Sequence, residues 1–369
     1  MSQTVAFVNY PLQFAQMEGE ILATIRETLA GGDLILRKQT EAFEANLAAF
    51  CGTRYAVGLS NCTDALHLAL RASGIGAGGE VITSSHTFVA TVAAIVHAGA
   101  KPVLVEVGAD HNIDPDAIAA AITPRTRAII PVSLNGRCCD LPKIKSLADR
   151  HQFILIEDSA QALGASIGGK KAGSWGLAGC FSFYPAKLLG AFGDAGALVT
   201  DDSELAERVR LLRNHGRTPD GRIAQWSFNC RIDNLQAALL DLKLRYLPAW
   251  LDRRRAIAAI YARELSVLPM LVLPPPPVEG GQRHDVYQNY EIEAPDRDAL
   301  AAHLKASGVD TLLPWGGKAV HEFHDLDLGG VRLPKTERIM RSALLLPMFP
   351  ELQDDEILYV TRMVRSFYF

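Results

Sequence analysis

This sequence predicts an α/β architecture followed by a smaller α+β domain, and three observations predict it. Short apolar runs alternate with helical patterns through the first two-thirds of the chain, which is the mark of a mostly parallel sheet covered by helices on both faces. One of these runs, Phe153-Ile154-Leu155-Ile156-Glu157, is apolar without a break until its acid, as a strand buried on both sides must be. Beyond a long helix near residue 240 the pattern changes to mixed strands and helices. A chain of 369 residues is also too long for one comfortable core. We therefore expect a large domain, residues 1–247, and a small C-terminal one, residues 248–369.

The elements follow in order. Arg54 to Leu59 reads as a strand, and Asp64 to Ala72 as a helix with Thr63 near its start. Glu80 to Thr83 is a strand and Ala90 to Ala98 a helix. Lys101 to Val107 and Ala128 to Val132 are strands, and Lys143 to His151 is a helix leading to the strand at 153–157. A long helix is expected from Asp233 to Tyr246, with Leu235, Leu239 and Leu242 at helical spacing and a break at Pro248. Leu273-Pro274-Pro275-Pro276-Pro277 is a stiff connector. A strand at Val286 to Ile292, a helix at Arg297 to Ser307 and a last helix at Asp354 to Tyr368 complete the reading.

Composition excludes several classes. Hydrophobic content of 49% and charged content of 21% are ordinary for a soluble globular protein. A net charge of −4 gives no support to nucleic-acid binding, which shows a basic face. No apolar stretch approaches a membrane span, and Met1-Ser2-Gln3-Thr4 does not open a secretory signal. The six cysteines form no Cys-x-x-Cys pair, so no zinc or redox motif is indicated. A cytoplasmic location is expected. The adjacent Cys138 and Cys139 suggest no function.

Chemistry gathers around Lys187. It follows the apolar run Gly179 to Phe183 and precedes Gly190-Ala191-Phe192-Gly193-Asp194-Ala195-Gly196. A lysine in so apolar a setting loses solvation, which lowers its pKa and yields the neutral amine that Schiff-base chemistry requires. Asp158 stands at the end of the apolar strand, where open α/β sheets bind ligands. It reads as a partner for a pyridine nitrogen, a helix N-cap or a metal ligand. Gly58 to Ala65 is a strand–turn–helix junction, which reads as a phosphate site or as an ordinary cap. Phe88 is either a stacking aromatic or a core residue. Ser182, five residues before the lysine, could reach a phosphate. Asn229 reads as a turn or cap.

As a set these segments resemble the DegT/StrS family of sugar aminotransferases, fold-type I enzymes dependent on pyridoxal 5'-phosphate (PLP). The matching pieces are Gly-Leu-Ser-Asn-Cys-Thr-Asp-Ala-Leu-His-Leu-Ala-Leu (58–70), Thr-Phe-Val-Ala-Thr (87–91), Ile-Glu-Asp-Ser-Ala-Gln (156–161) and Ser-Phe-Tyr-Pro-Ala-Lys (182–187). Asn-Cys-Arg-Ile-Asp-Asn-Leu-Gln-Ala-Ala (229–238) and Leu-Pro-Met-Phe-Pro-Glu-Leu (346–352) extend the likeness over nearly the whole length. The resemblance implies a seven-stranded, mostly parallel sheet in the large domain. It implies that Lys187 joins PLP and shuttles protons, that Asp158 pairs with the pyridine nitrogen, and that Gln161 sits near the phenolic oxygen. Phe88 would stack on the ring. Thr63, the Asp64 backbone N–H and Ser182 would hold the phosphate. Asn229 would come from the neighbouring subunit, which implies a homodimer with shared sites.

Family members that dehydrate sugars carry His where this chain has Lys187, so the resemblance implies transamination. L-Glutamate would be the donor and a nucleotide-linked keto-sugar the acceptor. The run 184–196 is closer to members acting at C3 than to those acting at C4. A PLP enzyme for a non-nucleotide cyclic ketone of the aminocyclitol type, or a PLP-binding regulator without turnover, are the other readings. Three departures stand out. Cys62 replaces a common Gly, and a positive φ there would be strained. Ser133 and Asn135 replace His and Tyr. The segment 313–321 is atypical, with Trp315 and His321 as candidate substrate contacts.

Overall fold

The computed structural model describes residues 4–369. Met1 to Gln3, where the reading of the N-terminal segment begins, lie outside them. The chain opens with two helices, α1 (Tyr10–Ala30) and α2 (Lys38–Cys51). The alternating region then runs β1 (Tyr55–Leu59), α3 (Cys62–Ala72), β2 (Glu80–Ser84), α4 (Val89–His97), β3 (Lys101–Val105), α5 (Pro115–Ala120), β4 (Thr126–Ile130), α6 (Leu141–His151) and β5 (Ile154–Asp158). A small hairpin, β6 (Ser166–Ile167) and β7 (Lys170–Lys171), precedes β8 (Ala178–Ser182) and β9 (Gly196–Thr200). Three helices follow, α7 (Ser203–Arg213), α8 (Asn234–Leu244) and α9 (Leu247–Leu265). The C-terminal part holds β10 (Arg283–His284), β11 (Tyr290–Glu293), α10 (Arg297–Ala306), α11 (Pro334–Ser342), β12 (Ala343–Leu346) and α12 (Asp354–Tyr368).

Seven strands form one sheet in the order β1-β9-β8-β5-β4-β2-β3. Pairings from β3 through β8 are parallel, and β9 alone runs antiparallel to both of its neighbours. The strand side chains alternate between two cores. Ile82, Ile129 and Leu155 point into one core, where α2, α6 and α8 pack. Val81, Ala128, Ile130 and Ile156 point into the other, with residues of α3, α4 and α7. Each central strand is thus buried on both faces, as its unbroken apolar sequence requires.

A third core belongs to the C-terminal part, where the antiparallel pair β11–β12 packs against α9, α10 and α12. Val5 is buried in this core too, and its backbone bonds Gly308 and Asp310.

Two expectations change. Pro248 does interrupt the helix at 233–246, but it lies in the first turn of the 19-residue α9, where its missing N–H costs nothing. The strand expected at 286–292 starts only at Tyr290. Tyr287 takes φ 49°, which breaks extended pairing, and Gln288 turns away to the lysine loop. Cys138 and Cys139 are core residues, and Cys139 Sγ lies 3.0 Å from the Val132 carbonyl.

Candidate active site

The parallel strands deliver their C-terminal ends to one edge of the sheet, and the expected residues collect there. Asp158 ends β5 and is 5% exposed. Its Oδ2 accepts a 2.7 Å hydrogen bond from the Thr91 hydroxyl on α4, and its Oδ1 accepts from the Ala160 N–H at 3.1 Å. Burial pushes its carboxyl above the ordinary aspartate value, against the pull of these bonds and of Lys187. Lys187 is partly buried in the loop between β8 and β9. Its backbone N–H bonds the Tyr184 carbonyl at 2.8 Å. Burial holds its ammonium below the ordinary lysine value, although the charges of Asp158 and Cys62 act to raise it.

The start of α3 lies beside this pair. Asn61 caps it, accepting from the Asp64 N–H at 2.8 Å. The Asp64 carboxylate in turn accepts from Asn61 Nδ2 at 2.8 Å and from the Ser60 hydroxyl. The Asp64 N–H expected to meet a phosphate is therefore already used by the cap. The amides of Cys62 and Thr63 precede it and lie in the first turn, where no intrahelical acceptor exists. Cys62 is helical and escapes the strain expected of a positive φ. Ser182 ends β8 opposite Gly196 of β9, and a Cβ on Gly196 would lie 2.3 Å from the Asn61 carbonyl carbon. Glycine is what lets β9, and with it Ser182, close on the start of α3.

Phe88 is the N-cap residue of α4 and is 55% exposed, so the core reading does not hold and its ring is free on the surface. Gln161 Oε1 accepts from the Asn135 N–H at 2.7 Å, which leaves its amide NH₂ as a donor. Asn229 is exposed next to Cys230, whose carbonyl accepts from the Ser60 N–H. Among the described residues its backbone bridges Asn214, and its side chain makes no hydrogen bond to the lysine site.

The whole of this edge matches one known group of proteins. The DegT/DnrJ/EryC1/StrS aminotransferase family matches residues 15–365. The chain belongs to that family. A "Pleiotropic regulatory protein" of Geobacillus stearothermophilus is 41% identical, covering 99% of this chain and 98% of its own. The dTDP-3-amino-3,4,6-trideoxy-alpha-D-glucose transaminase of Streptomyces venezuelae is 40% identical over 98% of this chain and 96% of its own. The UDP-N-acetyl-3-dehydro-alpha-D-glucosamine 3-aminotransferase of Acidithiobacillus ferrooxidans is 40% identical over 99% of both. In structure, S. venezuelae DesV in complex with a ketimine intermediate superposes with a TM-score of 0.94 at 40% identity, over 99% of this chain and 98% of that one.

In this aminotransferase the atypical segments are built as follows. Asn135 takes φ 54° in a short turn, a conformation Asn tolerates better than Tyr does. Its side chain accepts from Asn289 Nδ2 at 2.8 Å. Trp315 also has a positive φ, 46°, and meets the His86 ring edge to face at 5.5 Å. His321 is committed to structure rather than exposed to a cleft. Its Nδ1 lies 2.7 Å from the Ser85 hydroxyl and its Nε2 3.4 Å from Glu337, with a side chain 3% exposed.

Sequence reasoning missed the residues that hold the lysine loop. Gln288 accepts from the Leu188 N–H and donates to the Ala186 carbonyl, gripping both sides of Lys187. Gln236 does the same for Phe192. Lys243 donates to the Gly190 carbonyl at 2.5 Å and is buried, which lowers its pKa to about 8. Nothing local marks Gln288 or Lys243, since each lies more than fifty residues from its partner. Thr91 stood inside a matched motif, and only its contact with Asp158 gives it a role.

Among the described residues no helix is long and apolar enough to cross a membrane.

Proposed function

We propose that this aminotransferase uses PLP to move an amino group from L-glutamate to C3 of a keto-sugar carried on a nucleoside diphosphate. The carrying observation is the Lys187–Asp158 pair: a lysine whose pKa burial lowers and a buried carboxylate, close enough for each to shift the other's titration. Members of the family and its structural neighbours bind PLP or its amino form. The residues here fit that group. The aldehyde would meet Lys187, the pyridine nitrogen Asp158, and the phosphate the first amides of α3 with the hydroxyls of Thr63 and Ser182. When bound, PLP supplies an electron sink for the carbanion that forms as the amino group moves.

The chain's own groups do the rest. Lys187 Nζ, whose pKa burial lowers, would carry the proton between the substrate carbon and C4′ of the cofactor. Asp158 would pair with the ring nitrogen, and Thr91 holds the carboxylate for that task. Gln161, anchored on Asn135, would offer its NH₂ to the phenolic oxygen. Phe88, exposed at the start of α4, would cover a ring face. Asn229 serves the site of a second copy, which makes the working unit a homodimer. We place the enzyme in the cytoplasm because its six cysteines are free and buried.

The nucleotide-linked C3 assignment rests on the names of the S. venezuelae and A. ferrooxidans relatives. The Geobacillus relative's name favours a second reading, a regulator without turnover. Purified PLP-loaded protein is given L-glutamate with a dTDP- or UDP-linked 3-keto sugar, and 2-oxoglutarate is measured. Stoichiometric 2-oxoglutarate and a 3-amino product by NMR are expected, with Lys187→Ala slower by at least about 10²–10⁴-fold. Turnover only with a keto-inositol would establish the aminocyclitol reading. Cofactor binding without consumption of glutamate would establish the regulator.

A further inference from the structure

Away from the lysine, the described residues hold one group of metal-type donors, His86, His111 and Glu291, with ligand atoms all within 4.8 Å of one another. His86 follows β2, His111 follows β3 and Glu291 lies on β11, so the group bridges the large sheet and the small one. His86 is 1% exposed and Glu291 4%.

Hydrogen bonds decide which atoms face inward. His86 Nδ1 lies 3.1 Å from the His111 carbonyl oxygen, which only accepts, so Nδ1 carries the proton. Nε2 then presents a lone pair. It lies 3.8 Å from Glu291 Oε1 and has no hydrogen-bond partner. A buried lone pair aimed at a carboxylate oxygen is unfavourable until a cation enters between them. His111 Nδ1 approaches the same Oε1 at 2.7 Å, while its Nε2 lies 3.1 Å from Glu293. Each imidazole thus turns one nitrogen toward Glu291 and fixes the other on a carbonyl or carboxylate. Metal-ligating histidines are oriented in this way. An ion pair between His111 and the two glutamates explains their own placement, but it leaves His86 Nε2 unaccounted for.

The geometry points to a site for one divalent first-row transition cation, zinc foremost, ligated by His86 Nε2, His111 Nδ1 and Glu291. Two imidazoles and one carboxylate suit zinc and its neighbours better than magnesium or calcium, which take oxygen. On binding, His111 Nδ1 bonds the metal, and the proton it shares with Glu291 leaves to solvent. Its Nε2–H stays on Glu293. A cavity of about 60 Å³ lined by His111, Glu291 and Asn135 adjoins the group, with room for a water as further ligand. Asn135 also holds Gln161, so an ion here braces the loop next to the lysine site.

Crystals of the PLP-loaded protein soaked in zinc test this directly. An anomalous peak about 2.0–2.2 Å from His86 Nε2, His111 Nδ1 and a Glu291 oxygen is expected. Equilibrium dialysis of chelator-treated holoprotein should bind one zinc per chain at this site, lost in His86→Gln and in Glu291→Gln. Circular dichroism confirms that both variants fold. No peak at these atoms in the wild type, or an equivalent of zinc retained in either folded variant, overturns the proposal.

Discussion

Asp158 and Lys187 show how burial alone sets up chemistry at single residues. The same desolvation raises the carboxyl pKa and lowers the ammonium pKa, because burial makes the charged form of each group costlier than in water. Glu157, one residue before Asp158, turns to the opposite face and is 0% exposed. It accepts the N–H groups of Gly173, Trp175 and Gly176, yet burial still raises its pKa from 4.5 to about 7. A carboxyl raised in the fold contributes stability that is present in full below pH 4.5 and lost as pH rises through 7. That contribution is ~3 kcal/mol from a shift of this size. Urea unfolding of wild type and Glu157→Gln across this window should show stability falling more steeply with pH in the wild type. Parallel curves would remove Glu157 as the cause.

At the level of elements, the site depends on close backbone approaches. Gly136 takes φ 87°, and a Cβ there would lie 2.6 Å from the Tyr287 and Gln288 nitrogens. This crossing seats Gln288 under the lysine loop while Asn135 reaches Gln161. Gly136→Ala should lower stability by about 2 kcal/mol or more, from strain and collision together. It should also weaken cofactor affinity. Thermal unfolding and cofactor titration check both, and an unchanged melting temperature would mean that the crossing yields easily. The sequence reveals such elements unevenly. The βα alternation and α12 were legible because burial on both faces, or on one stripe, leaves a periodic pattern. The break before Tyr290 was not, because the positive φ at Tyr287 falls where the chain crosses Gly136, a contact that no local pattern records.

For the whole molecule, the exposed Asn229 and the missing contact with its own lysine site frame the dimer question. Mixing Lys187→Ala with Asn229→Ala protein, each impaired alone, should restore activity if Asn229 serves the partner's site. Heterodimers would then contain one site with both residues intact. Failure to complement while subunits exchange would place Asn229 in its own site or in none. The sequence by itself determined the α/β class and the family, and it singled out the lysine and its aspartate as candidates, because those rest on burial patterns and on reactive groups carried in contiguous motifs. Only the tertiary structure decided that His321 is held by Ser85 and Glu337, that Gln288 grips the lysine loop, and that His86, His111 and Glu291 converge. Those contacts join residues up to hundreds of positions apart, and packing of the two sheets, not local propensity, brings them within bonding distance.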